Sequence, residues 1–120
     1  APLLLTQAVE KNIKNGKGRK IFFLSSKMGS ISDNTSGGMY MYRTSKTALN
    51  QVVKSLSIDL HPNAITVIAL HPGWVRTDMG GPNALISVEE SVTGLMKIIT
   101  EKRLEQSGKF FNYDGKEIPW

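Results

Sequence analysis

The chain has 120 residues, 40% hydrophobic and 21% charged, the composition of one small globular domain. It has no cysteine, which excludes a disulfide scaffold, a thiolate zinc site and a thiol nucleophile. Fifteen Lys and Arg against ten Asp and Glu give a net charge of +5, and no run approaches the roughly 18 apolar residues of a membrane span.

Leu3, Leu4, Leu5, Ala8 and Val9 follow helical spacing and predict a helix over 2–14, stopped by Asn15-Gly16-Lys17-Gly18. Lys11, Lys14, Lys17, Arg19 and Lys20 crowd this boundary, where the negative end of a helix dipole favours cations. No aromatic residue interleaves with them, so the basic balance predicts no nucleic-acid partner. The run Ile21-Phe22-Phe23-Leu24 is continuously apolar, the pattern of a parallel strand buried on both faces. Residues 27–38, rich in Ser, Gly, Asn and Asp, predict a loop.

A long helix is expected over 39–60, with Leu49, Val52, Val53, Leu56 and Leu60 on its buried face. His61-Pro62-Asn63 ends it, because proline cannot continue the hydrogen-bond ladder. A second apolar strand, 65–70, leads into a loop carrying Pro72, Gly73, Gly80, Gly81 and Pro82. Ser87-Val88-Glu89-Glu90 has capping-box spacing, and the helix that it opens places Val92, Leu95, Met96 and Ile99 on one stripe. A short strand at 109–113 ends at the turn Asp114-Gly115. The order αβαβαβ predicts an α/β fold, a parallel sheet joined by right-handed helical crossovers. With no secretory leader and no membrane span in these residues, the expected location is cytoplasmic and no membrane partner is foreseen.

Three places carry reactive groups. Tyr42 and Lys46 stand four residues apart on one helical face, where an ammonium favours a phenolate and suits the phenol to proton exchange with a carbonyl or alcohol. Tyr40 has Thr44 in the matching place and lacks that cation. Ser25-Ser26 directly follows the first strand, and His71-Pro72-Gly73-Trp74-Val75-Arg76-Thr77-Asp78 follows the second. In open parallel sheets, ligands bind beyond the carboxyl ends of strands. Each segment alone also fits an ordinary turn or surface pair. Neither His71 nor His61 has the spacing of a metal site.

Taken in order, Ser-Ser after a strand, Tyr-x-x-x-Lys on a helix and Pro-Gly-x-x-x-Thr after the next strand resemble the short-chain dehydrogenase/reductase family. The likeness spans essentially the whole chain. SSKMGSISDNTSGGMYMYRTSKTALN, LHPGWVRTDMGG and FFNYDGKEIPW are similar to its sniffer-type carbonyl reductase and C-factor-like subgroup. The resemblance implies the C-terminal half of a Rossmann-like, doubly wound parallel sheet and an NAD(P)-dependent oxidoreductase of the carbonyl reductase kind, with NADPH favoured over NADH.

By this likeness Tyr42 is the catalytic acid/base, Lys46 supports it and binds the nicotinamide ribose, and Ser26 holds the substrate oxygen. The stretch between Ser26 and Tyr42 is longer than is usual in the family, which leaves Ser25 and Ser30 as alternatives for Ser26. Pro72 and Gly73 would flank the nicotinamide, Val75 would bond its carboxamide through the backbone, and Thr77 would support the carboxamide or pyrophosphate. Residues 78–86 would form the loop over a small-molecule carbonyl or alcohol. A homodimer through the helices at 2–14 and 39–60 is also implied. The family's glycine-rich phosphate turn, its relay asparagine and its NAD/NADP selector have no counterpart here, so these residues alone are expected to be inactive. The alternative reading is a non-catalytic binding protein that retains the half-fold.

Overall fold

The computed structural model describes residues 1–120. Helix α1 (Pro2–Asn15) opens with proline in its first turn, where the missing amide proton is not needed, and Gly16 closes it by donating to the Asn12 and Ile13 carbonyls. Strand β1 (Lys20–Leu24) is followed by a single 3₁₀ turn at Lys27–Gly29 inside the expected loop. Helix α2 (Tyr40–Asp59) is one residue shorter at each end than its apolar pattern suggests. Met39, in the left-handed region at φ 50°, turns the chain into it, and Leu60 caps it. Strand β2 (Thr66–His71), helix α3 (Val88–Glu101) and strand β3 (Phe110–Asn112) complete the chain.

The sheet order is β1-β2-β3 and both pairings are parallel, as expected from strands separated by helices. Lys20 pairs with Thr66 and Leu24 with Leu70, while Ala69 pairs with Phe110. Alternation along the strands then makes two cores. Phe23, Val67, Ala69 and Phe110 pack with Val53 and Leu56 of α2 and with its capping residue Leu60, and Phe22, Ile68, Leu70 and Phe111 pack with Ile98 of α3. Central β2 is buried from Thr66 to Leu70 because both of its faces are covered.

Three sequence expectations are corrected, for β1, for the stripe on α3 and for the capping box, and the helix expected over 2–14 is present. β1 is not buried on both faces: Phe23 is buried, Ile21 and Phe22 are half-buried and Leu24 is exposed, because β1 lies at the sheet's edge. The leucines of α1 do not form a core stripe. Leu4 and Leu5 are 70% and 65% exposed, only Thr6 is buried, and half-buried Ile13 makes the contact with the core. On α3 the buried line runs through Ser91 and Ile98, whereas Val92 and Met96 are exposed. The capping box is half-formed: Ser87 Oγ accepts from the Glu90 amide at 3.1 Å, but the Glu90 carboxylate accepts from Tyr113 Oη instead of reaching back.

The end of the chain closes the α2-side core. Phe111 and Glu117 form an antiparallel bridge, Ile118 is buried, and Trp120 stacks on Phe110 with ring centroids 5.6 Å apart. On the other face, Lys20 Nζ donates to the Ile99 and Thr100 carbonyls, placing a cation at the C-terminal end of α3. No helix is long and apolar enough to cross a membrane.

Phe110 is fully buried between α2, β2 and Trp120. Phe110→Ala is expected to cost about 3–5 kcal/mol, read as a lower urea midpoint.

Candidate active site

Because Leu24 pairs with Leu70, the chain leaves β1 and β2 side by side at their carboxyl ends. Ser25 and Ser26 emerge from one and His71 to Thr77 from the other. The Ser25 amide continues the ladder by donating to the Leu70 carbonyl at 2.8 Å, and its Oγ donates to Asn50 Oδ1 at 2.6 Å. Ser30 Oγ donates to the Pro119 carbonyl at 2.5 Å and accepts from the Asp33 amide at 3.1 Å. Ser26 Oγ accepts from the Met28 amide at 3.2 Å, capping the 3₁₀ turn. Of the three serines, Ser26 is the one whose hydroxyl proton has no acceptor within the protein.

Tyr42 lies in the first turn of α2 and is 38% exposed. Lys46 Nζ sits 5.8 Å from its ring centroid, on the same face, as four-residue spacing requires. Lys46 takes part in no ion pair, so its ammonium has no competing carboxylate. Tyr40 is 80% exposed, and Thr44 Oγ1 is turned back onto the Tyr40 and Met41 carbonyls.

The turn after Ser26 is pressed against the same helix. Arg43 Nη1 donates to the Met28 carbonyl at 3.3 Å and Thr47 Oγ1 to the Gly29 carbonyl at 2.9 Å. A Cβ on Gly29 would stand 2.8 Å from the backbone carbonyl carbon of Lys46, so only glycine lets the two backbones approach this closely. Gly29→Ala is expected to push the turn off α2 at a cost of about 1–3 kcal/mol. Thermal unfolding measures that cost, and a matching loss of midpoint is the expected outcome.

Beyond β2 the Pro72 carbonyl accepts from Ser91 Oγ at 2.5 Å. Gly73 has φ 85°, and a Cβ there would lie 2.5 Å from Ile86 Cδ1 and 2.9 Å from Tyr113 Cδ1. Val75 bridges to Ile86 through its neighbours: the Arg76 amide donates to the Ile86 carbonyl, and the Ile86 amide to the Trp74 carbonyl. In this parallel geometry Val75's own N–H and C=O point away from Ile86. The N–H has no acceptor in the protein, and the carbonyl takes only a long contact from Thr77 Oγ1 at 3.4 Å. Thr77 Oγ1 also accepts from the Gly80 amide, and the Thr77 carbonyl accepts from the Gly81 amide. With Trp74 Nε1 donating to the Gly80 carbonyl, the loop is tied down over 74–81, while Met79 and Leu85 stay exposed.

The short chain dehydrogenase family profile matches residues 1–85. This chain belongs to the short-chain dehydrogenase family. It is 46% identical over 119 residues to the C-signal protein of Myxococcus xanthus, covering 99% of this chain and 72% of that relative. It superposes on the carbonyl reductase Sniffer of D. melanogaster with a TM-score of 0.93 at 42% identity, covering 99% of this chain and 52% of that one. For the NADPH-bound carbonyl reductase from chicken fatty liver the values are 0.91 and 37%, covering 99% and 52%. The chain thus spans about half the length of these solved family members.

Sequence reasoning assigned nothing to Asn50 and found no metal-site spacing at His71. A polar residue on a helix face whose other members are apolar is a signal for Asn50. His71 ends β2 half-buried, with Nδ1 buried and without a partner. Desolvation, and then the Lys27 ammonium, lower its pKa to about 4 against a smaller opposing effect of Asp33. Between about 4 and the unfolded value of 6.5, the unfolded chain therefore holds the extra proton and the folded chain does not. Stability from this group is complete above pH 6.5 and falls as pH drops toward 4. The urea midpoint should decline across that window in the wild type and decline less in His71→Gln, and NMR titration of the ring should give a midpoint near 4.

Proposed function

We propose that these residues form the catalytic half of an NADP(H)-dependent carbonyl reductase, in which Tyr42 is the acid/base. What supports this reading is a Ser26 hydroxyl free to donate just beyond β1, an unbonded Val75 amide beyond the adjacent β2, and a Tyr42 phenol beside the Lys46 ammonium on the helix against which the turn after Ser26 packs. The chicken relative's bound NADPH supports the cofactor class.

The residues suit a nicotinamide. Val75 offers one donor and one weakly engaged acceptor, the pair that a carboxamide needs, and Gly73 keeps the adjacent backbone free of a side chain. Pro72 shapes that turn, and Thr77 has hydroxyl capacity beside it. When bound, the cofactor supplies the hydride. Ser26 donates a hydrogen bond to the substrate carbonyl oxygen, keeping its proton, and orients it. Tyr42 transfers its phenolic proton to the same oxygen as negative charge develops there, leaving a phenolate that solvent reprotonates. Lys46 stabilises that phenolate by its charge and binds the ribose. The phosphates of the dinucleotide are assigned to sequence outside these residues, since the glycine pair Gly16 and Gly18 precedes a strand instead of following one.

In the full-length protein, Tyr42→Phe is expected to lower NADPH-dependent reduction of a carbonyl by about 10²–10⁴-fold. NADPH binding, followed by its fluorescence, should persist. Turnover retained in this variant would overturn the assignment, and binding of a protein partner without turnover would favour the interaction role.

A further inference from the structure

Tyr42, Lys46 and Asn50 occupy successive four-residue steps of α2 and so share one face of the helix. Asn50 is 3% exposed and Ser25 is 4% exposed. The bond from Ser25 Oγ to Asn50 Oδ1, at 2.6 Å, is the only buried hydrogen bond between two side chains in the protein. It is a costly way to fill a core position, because Asn50 Nδ2 is also buried and has no partner. What such a bond does well is set a distance and a direction.

The place where it acts is specific. Ser26 lies between two attachments to α2. Downstream, Met28 and Gly29 are held by Arg43 and Thr47. Upstream, the sole side-chain link is Ser25 to Asn50. The Ser25 amide fixes the backbone here to β2 through the Leu70 carbonyl, so the Ser25–Asn50 bond is what ties this end of the turn to α2 itself.

We propose that Asn50 is a positioning residue that, through Ser25, holds the Ser26 hydroxyl against the Tyr42–Lys46 face so that Ser26 and Tyr42 address one substrate oxygen. The proposal rests on the reading of Ser26, Tyr42 and Lys46 as the reducing centre. A purely structural role would lower stability and leave the rate of the folded enzyme alone. A positioning role lowers kcat and spares cofactor binding.

The test is a double-mutant cycle in the full-length holoenzyme with NADPH and a reducible carbonyl, with Tyr42→Phe measured in parallel. Ser25→Ala and Asn50→Leu are each expected to lower kcat about tenfold while KM for NADPH stays within about twofold, and the double variant should fall no further than the worse single one. Ser25→Thr, which keeps the hydroxyl, should recover most of kcat. Should Asn50→Leu fail to fold, Ser25→Ala with Ser25→Thr carries the comparison, since it removes the same bond by a smaller change. Additive losses, a rise in KM without a fall in kcat, or wild-type kcat in the single variants overturns the positioning role while a dead Tyr42→Phe leaves the reducing centre standing. If wild type and Tyr42→Phe turn over alike, the reducing centre itself is wrong and the positioning role falls with it.

Discussion

Strand β2 has water on neither face, and its neighbours inherit their places from it. Val67 and Ala69 face α2 while Ile68 and Leu70 face α3, so the strand cannot slip by one residue without exchanging the two cores. β1 and β3 take their register from it on either side. The carboxyl ends of β1 and β2 therefore emerge side by side, and the turns that hold Ser26 and Val75 begin within a few residues of each other in space. The chemistry proposed for this protein depends on that alignment before it depends on any single side chain.

A second constraint sets the third participant. The turn after Ser26 touches the backbone of α2 at Lys46, four residues from Tyr42. Gly29 makes that possible, and Arg43 and Thr47 fasten it. The helix thus serves as core wall through Val53 and Leu56 and as site scaffold through its first three turns.

Much of this could be read from the residues themselves. The order of six elements, the parallel pairing and the placing of Ser26, Tyr42 and Val75 near strand ends or a helix start all follow from local periodicity and turn chemistry. What could not be read depends on contacts between distant segments. The Ser25–Asn50 bond joins residues on different elements, and neither side chain announces the other. Trp120 reads as a terminal aromatic, yet it stacks on Phe110 and takes the Ser32 amide on its carbonyl. The leucines of α1 have helical spacing but point away from this core, because periodicity identifies a face without saying what covers it. Glu90 satisfies the capping-box pattern and is drawn to Tyr113 by a tertiary contact that the pattern omits.

The strand pairings also shape how the fold must be reached. Lys20 meets Thr66 and Ala69 meets Phe110, so each pairing closes a loop of about forty to fifty residues, a separation that makes folding slow compared with helix formation. During synthesis, β1 leaves the ribosome well before β2 exists. Its Ile21-Phe22-Phe23-Leu24 run cannot pair with β2 until α2 has been made. The helix between them does more than position a tyrosine: formed early, it shortens the gap across which the two strands have to find each other.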